Sequence, residues 1–304
     1  MEKLVYLNGE LVPESDAKIS FFNIGILYGA TFYESIRTFK HKYFKLEEHI
    51  KRLKRSLTYG NIIDNVDMNK IEEALFKVLE ANIDGIHKDD DVWVDIDITP
   101  GVTFPMPLVK QKDKAPTIIA YMVEIPFNEY AKCYSEGKHA ATSLYRSIPP
   151  QCFEQRCKHR SRLPQFLSKL DIQRVDPDAF ALMLDIHGYI TEGTGANIFF
   201  VMDDVLYTPT TRNILNGISR QYTIEIAKKL NIKVVEADIT LYEAYNAEEA
   251  FWTTTSYCIL PISMVDGRKI GNSYPGTYAK KLLDFWSREV GVDIIAQAEK
   301  FASR

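Results

Sequence analysis

Lys158 stands inside "RCKHRSRLPQFL", residues 156–167, among Arg156, His159, Arg160 and Arg162 and directly ahead of an apolar run. A lysine amine attacks a carbonyl only in its neutral form, which burial and neighbouring cations favour. The segment reads either as an activated amine or as a solvated basic turn, and composition leaves both open. A second candidate is "GYITEGTGANIFFV", residues 188–201, where Glu192 ends a strand-like run and a small-residue turn follows. Such a turn admits a flat ligand or another backbone, although an ordinary hairpin with a solvated acid has the same spacing. In "NILNGISRQYTIEIAKKL", Gly217-Ile218-Ser219 opens a predicted helix, and free N–H groups beside a hydroxyl make a small anion site, or simply an N-cap. "TTTSYC", residues 253–258, adds hydroxyls at a strand end, where ordinary strand threonines are the alternative.

The chain as a whole limits what these groups serve. Its 304 residues suit one large domain or two ordinary ones, and 46% hydrophobic with 26% charged residues is a globular composition. A formal net charge of −4 argues against a general binder of nucleic acid or anionic membranes. Four cysteines, Cys133, Cys152, Cys157 and Cys258, lack both zinc-site spacing and disulfide-scaffold density, so no metal site is expected and a reducing cytoplasm fits. The opening "MEKLVYLNGELVPESDAKIS" is too interrupted for a signal peptide, and no later stretch is long enough to span a bilayer. A soluble, cytoplasmic protein is the expectation.

Several elements must position the candidates. "LVYLNGELV" predicts a hairpin at Asn8-Gly9. Residues 45–57 carry Leu46, Ile50, Leu53 and Leu57 at helical spacing, a second helix is predicted over 68–81, and "VWVDIDIT" and "TIIAYMVEI" read as strands. Residues 1–125 form a small N-terminal domain on this reading. The period is lost in "PFNEYAKCYSEG", and 126–137 is the expected connection between domains. Residues 138–304 then form the larger domain: a strand at "HAATSLY", a helix around 161–173, and a run of short strands with turns at His187-Gly188 and Asp203-Asp204. Helices at "ISRQYTIEIAKKL" and "GTYAKKLLDFWSREV" complete it, with a strand at "EEAFWTTTS" between them. This spacing predicts a mostly antiparallel sheet and not a doubly wound one.

The order of the pieces is more specific than any one of them. "LYGATFYESIR", "FKLEEHIKRL", the lysine segment, "GYITEGTGANIFFV", "NGISR" and "FWTTTSYCILPI" with "VDGRKI" run in one order along nearly the whole chain, which resembles the class IV aminotransferases, the fold-type-IV pyridoxal-phosphate enzymes. Within that class it is most similar to the branched-chain amino-acid aminotransferases. The resemblance implies an α/β (α+β) fold of two domains, a small N-terminal α/β domain and a larger C-terminal one with a barrel-like sheet, binding pyridoxal 5′-phosphate. It implies as partners a small-molecule amino donor and a 2-oxo acid acceptor such as 2-oxoglutarate, and a homodimer or higher oligomer.

By the same resemblance Lys158 is the Schiff-base lysine and proton carrier, and Glu192 pairs with the pyridine nitrogen so that the ring withdraws electrons. Arg52, Ile218, Ser219 and Thr255 match donors to the cofactor phosphate, a role for which a guanidinium fork is well shaped. Tyr33 matches a position at the substrate, as do the backbone N–H groups of Ser256 and Tyr257. Two departures stand out. Leu163 occupies the place of a tyrosine that serves the cofactor's phenolic oxygen in branched-chain enzymes, and Pro100 stands where D-amino-acid transaminases carry a substrate-binding arginine. Trp93 and Asp95 also differ from the usual branched-chain pocket. The sister activities, D-amino-acid or (R)-amine transamination and aminodeoxychorismate cleavage, are the enzymatic alternatives. A non-enzymatic binder using the basic segment is the other.

Overall fold

A computed structural model describes residues 2–102 and 115–304. The chain is mixed α/β and divides into two compact units, Met1–Ile125 with Cys157–Ser161, and Pro126–Arg156 with Arg162–Arg304.

The first unit contains strands β1 (Leu4–Leu7), β2 (Glu10–Pro13), β3 (Phe32–Phe39), β4 (Lys42–Tyr43), β5 (Val92–Thr99) and β6 (Thr117–Glu124), with helices α1 (Ile24–Leu27), α2 (Leu46–Tyr59) and α3 (Met68–Asn82). Its six-stranded antiparallel sheet has the order β2-β1-β6-β5-β3-β4. Asn8 and Gly9 form the predicted hairpin, both with positive φ (53° and 114°), conformations that these two residues tolerate.

Strand alternation sorts the sheet into two faces. One carries Ile36, Val94, Ile96 and Ile98, all fully buried, and packs against α2 and α3 through Leu53, Leu57, Ile71 and Leu75. The other carries Tyr33, Asp95, Asp97 and Tyr121. Alternation along "VWVDIDIT" puts Asp95 and Asp97 on one face, and both acids are only 6% and 8% exposed. Cys157–Ser161 explains part of that cover. His159 bridges Phe32 in antiparallel sense, the Tyr33 N–H donates to the Lys158 carbonyl at 3.2 Å, and the Arg160 N–H donates to the Thr31 carbonyl at 2.9 Å. The edge of β3 thus gains a short partner whose alternate side chains, Lys158 and Arg160, lie on the Tyr33 face.

The second unit opens with α4 (Phe127–Glu136), so residues 126–137 are not an aperiodic connection. Phe127, Ala131 and Tyr134 are buried at i, i+4 and i+7. Pro126 and Gly137, the breakers that suggested a loop, are the helix's two caps, with Gly137 at φ 72°. There follow β7 (Lys138–Arg146), α5 (Leu163–Gln173), β8 (Phe180–Leu184), β9 (Ile190–Gly193), β10 (Asn197–Met202), β11 (Val205–Pro209), α6 (Ile218–Lys229), β12 (Val234–Ala237), α7 (Leu241–Tyr245), β13 (Glu249–Thr254), β14 (Cys258–Val265), β15 (Arg268–Lys269), α8 (Thr277–Val290) and α9 (Ile294–Ala302).

Its nine-stranded sheet has the order β12-β11-β10-β13-β14-β7-β8-β9, with β15 on β14. Pairing is antiparallel except at β11/β12, β14/β7 and β7/β8. Two of those parallel pairs are joined by a crossover containing a helix, α6 and α5 respectively, as parallel neighbours require. β9 also packs against β10 and β11, so the sheet curls into a half-barrel. Phe199, Phe251 and Trp252 are fully buried in it, and α8 closes one side with Trp286 edge-on to Tyr222 at 4.8 Å.

Candidate active site

The first unit holds Lys158 by its main chain. Its N–H donates to the Ser56 hydroxyl at 3.1 Å and its carbonyl accepts from Tyr33, so α2 and β3 both fix the backbone while the side chain runs over the Tyr33 ring. The Nζ lies 4.2 Å from the ring centroid. Tyr33 is itself buried, which gives the amine a firm apolar platform.

The basic run around Lys158 is not an open cationic patch. Arg156 turns to Glu154, with Nε and Nη2 bonds of 2.8 and 2.6 Å. Arg162 donates to the Thr194 carbonyl. Arg160 bonds Asp97 through Nε at 2.7 Å and Asp95 through Nη2 at 2.7 Å, with Tyr121 donating to Asp95 and accepting from Arg160. The positive charge expected to crowd Lys158 is therefore largely matched by carboxylates. Burial, countered by the Arg160 hydrogen bonds and reinforced by Asp95, holds the Asp97 carboxyl above its ordinary range.

Arg52 lies on α2 beside the opposite face of the same sheet. Glu34 on β3 is fully buried there, and Arg52 grips it with Nε and Nη2 bonds of 2.7 Å each, while His49 meets its second oxygen at 2.7 Å. Burial alone would raise the Glu34 carboxyl. The charge and hydrogen bonds of Arg52, joined by His49, outweigh it and hold the group at about 2. Burial pushes the His49 imidazole down, against the pull of Glu34, so near neutral pH the ring is uncharged and donates from Nδ1 to the carboxylate. The fork expected to grip phosphate thus has one edge committed to a protein carboxylate.

The second unit carries the remaining candidates. Glu192, at the end of β9, accepts at Oε2 from Asn197 Nδ2 at 2.9 Å and from the Leu215 N–H at 3.1 Å. Asn197 also donates to the Leu215 carbonyl, tying the acid to the loop that precedes α6. Gly217 is the N-cap of α6 and offers no side chain to its first turn, where Ile218 and Ser219 are buried. A Cβ at Gly217 would run into the Asn197 side-chain amide, so only glycine fits. Arg220, which sequence reasoning missed, anchors this loop: it is 2% exposed and bonds Glu236 at 2.6 Å and the Pro209 carbonyl at 2.9 Å.

Thr255 and Ser256 lie in the turn between β13 and β14. Thr254 joins that turn to the Gly195 carbonyl at 2.9 Å, and Cys258 closes it in the left-handed region at φ 62°. Tyr257 points away into a cluster with Tyr130 and Phe180, and its carbonyl accepts from the Tyr134 hydroxyl at 2.8 Å. Only its backbone could meet a ligand. Ser256 is tied by a side-chain hydrogen bond to Tyr130.

A family model for class IV amino-transferases matches residues 31–265, which takes in all of these groups. The chain belongs to the class IV aminotransferases. This aminotransferase is 36% identical over 279 residues to a protein of Methanocaldococcus jannaschii assigned as a branched-chain-amino-acid aminotransferase, covering 91% of this chain and 93% of the other. It is 30% identical to the aminodeoxychorismate lyase of Bacillus subtilis, with 92% and 93% covered. A solved structure of a T.th. branched-chain amino acid aminotransferase with pyridoxamine 5′-phosphate superposes with TM-score 0.84 at 26% identity, over 95% of this chain and 94% of that one.

The cofactor of the aminotransferase is pyridoxal 5′-phosphate. Three features fit that group: an uncapped helix start at a glycine that tolerates no side chain, an acid oriented by two donors, and a buried Thr253 hydroxyl, opposite Asn197 in register, with no protein partner among the described residues. Leu163 opens α5 and is 64% exposed, and its side chain has no polar atom to offer a phenolic oxygen. Among the described residues no cluster of His, Cys, Asp and Glu could hold a metal, and no helix is long and apolar enough to cross a membrane.

Proposed function

We propose that the aminotransferase moves an amino group between a branched-chain or other hydrophobic amino acid and a 2-oxo acid such as 2-oxoglutarate, with Lys158 as its catalytic residue. The observation that carries the proposal is the Lys158 amine itself, fixed at its backbone by β3 and α2 and free to move only through its side chain over Tyr33.

When bound, pyridoxal phosphate supplies an aldehyde and an electron-withdrawing ring. Lys158 tethers the cofactor through its amine and, once released, takes the substrate α-proton and returns it. Glu192, oriented by Asn197 and Leu215, holds a proton on the pyridine nitrogen by a charged hydrogen bond. The N–H groups at Ile218 and Ser219, the hydroxyls of Ser219 and Thr255, and the side of Arg52 turned away from Glu34 hold the phosphate. Tyr33 and the backbone of Ser256 and Tyr257 serve the substrate.

The test is a borohydride reduction of purified protein followed by peptide mapping, alongside an amino-donor panel with 2-oxoglutarate and pyruvate. A pyridoxyl label on Lys158 and transfer from leucine are expected. A label on another residue, or none after reconstitution, would sink the proposal. The likeness to an aminodeoxychorismate lyase motivates one further arm, since pyruvate released without any amino acceptor marks that reaction.

A further inference from the structure

We propose that Arg160 receives a carboxylate of the substrate, presenting the Nη1 edge of a guanidinium that Asp95, Asp97 and Tyr121 lock from behind. The inference rests on the transamination reading and names the substrate group this part of the site is built to take.

The side-chain hydrogen bonds of Arg160 all come from two of its three nitrogens. Nε bonds Asp97, and Nη2 bonds Asp95 at 2.7 Å, Asp97 at 3.1 Å and the Tyr121 hydroxyl at 2.9 Å. No acceptor meets Nη1 among the described residues, although the side chain is only 33% exposed. An arginine held in this way keeps a pair of directed donors in reserve. Its plane is fixed further by the Tyr33 ring, whose centroid lies 3.6 Å from Cζ. The same ring carries the Lys158 amine, so the reacting nitrogen and the spare donor edge flank one side chain.

A carboxylate suits Nη1 because a charged N–H donor makes its strongest hydrogen bonds to an anionic oxygen. The two aspartates lie behind the fork. They hold its orientation. A cationic side chain would find only donors at Nη1 and no acceptor for its own hydrogens.

The carboxylate comes either from the α-position common to all amino and oxo acids or from the distal end of a dicarboxylic one. Arg160→Lys separates the two, because it keeps a cation near Asp95 and Asp97 and removes the fork together with its Nη1 donors. Calorimetry with unreactive glutarate and 4-methylvalerate on wild type and variant reads affinity without turnover. Weakening of about tenfold for glutarate alone assigns the distal carboxylate, and a similar loss for both assigns the α-carboxylate. Unchanged affinity for both, or a wild type that prefers lysine or ornithine as donor, overturns the proposal. The near-visible absorbance of the variant should match wild type. A wild type lacking that band would instead count against Lys158 and pyridoxal phosphate, while the calorimetric comparison would still decide Arg160.

Discussion

Arg52 and Glu34 meet through two parallel hydrogen bonds of 2.7 Å, one from Nε and one from Nη2, with the acid wholly buried beneath α2. A pair in such a place contributes little net stability as a pair, yet breaking it leaves one charge stranded. Glu34→Gln is expected to destabilise the fold by about 3–5 kcal/mol, read by urea denaturation. Retention of cofactor through dialysis should fall as well, because Arg52 loses the group that aims it. A loss below about 1 kcal/mol would show that the pair is not what holds Arg52.

His49 and Glu34 give stability a pH signature. The folded imidazole is held below its usual 6.5, so from that pH downward the unfolded chain binds a proton that the folded one refuses, and stability declines. Glu34, depressed to about 2 from 4.5, adds stability that is complete above 4.5 and lost as pH falls through the folded value. His49→Gln should flatten the first slope and keep most of the second, since Arg52 stays on Glu34. Denaturation midpoints from about pH 7.5 to about pH 3 check both.

Lys158→Ala should abolish the near-visible band and cut transamination by about a thousandfold or more. The ion pairs of Arg52 and Arg160 do not involve its side chain, so the melting temperature should stay within a few degrees of wild type. Activity surviving at a tenth of wild type would remove Lys158 from the chemistry.

Gly217→Ala tests the cradle at the start of α6. The added methyl meets the Asn197 amide that orients Glu192, so the expected result is cofactor affinity lower by about tenfold or more, from equilibrium dialysis. Gly85→Ala is the control, since a Cβ there meets nothing within 4 Å. Equal effects from both substitutions would deny the loop its role.

Much of this architecture is legible in the residues. The Asn8-Gly9 hairpin, the amphipathic α2 and α3, and the short strands between residues 180 and 209 announce themselves by period and turn chemistry. Residues 127–136 do not, because Pro126 and Gly137 punctuate a short helix in the same way as they punctuate a loop. The strand Val234–Ala237 is four half-exposed or exposed residues at a sheet edge and carries no alternation to find. Within the site, Lys158 and Glu192 stand out by motif order. The Arg160 cluster does not, because its acids lie more than sixty residues earlier and only strand pairing brings Asp95, Asp97 and Tyr121 onto one face. The clue was the odd chemistry of two acids inside a buried strand. Arg220 is hidden in another way: nothing in "NGISRQY" separates a fully buried arginine from a solvated one.

The stitching of residues 158–160 to the margin of β3 has a mechanical corollary. The main chain at the reactive amine is a pivot pinned on two sides, so all of its travel comes from torsions of four methylenes. Whatever the amine grips or lets go, the sheet beneath it keeps its shape, and each turnover can begin from the same rest position.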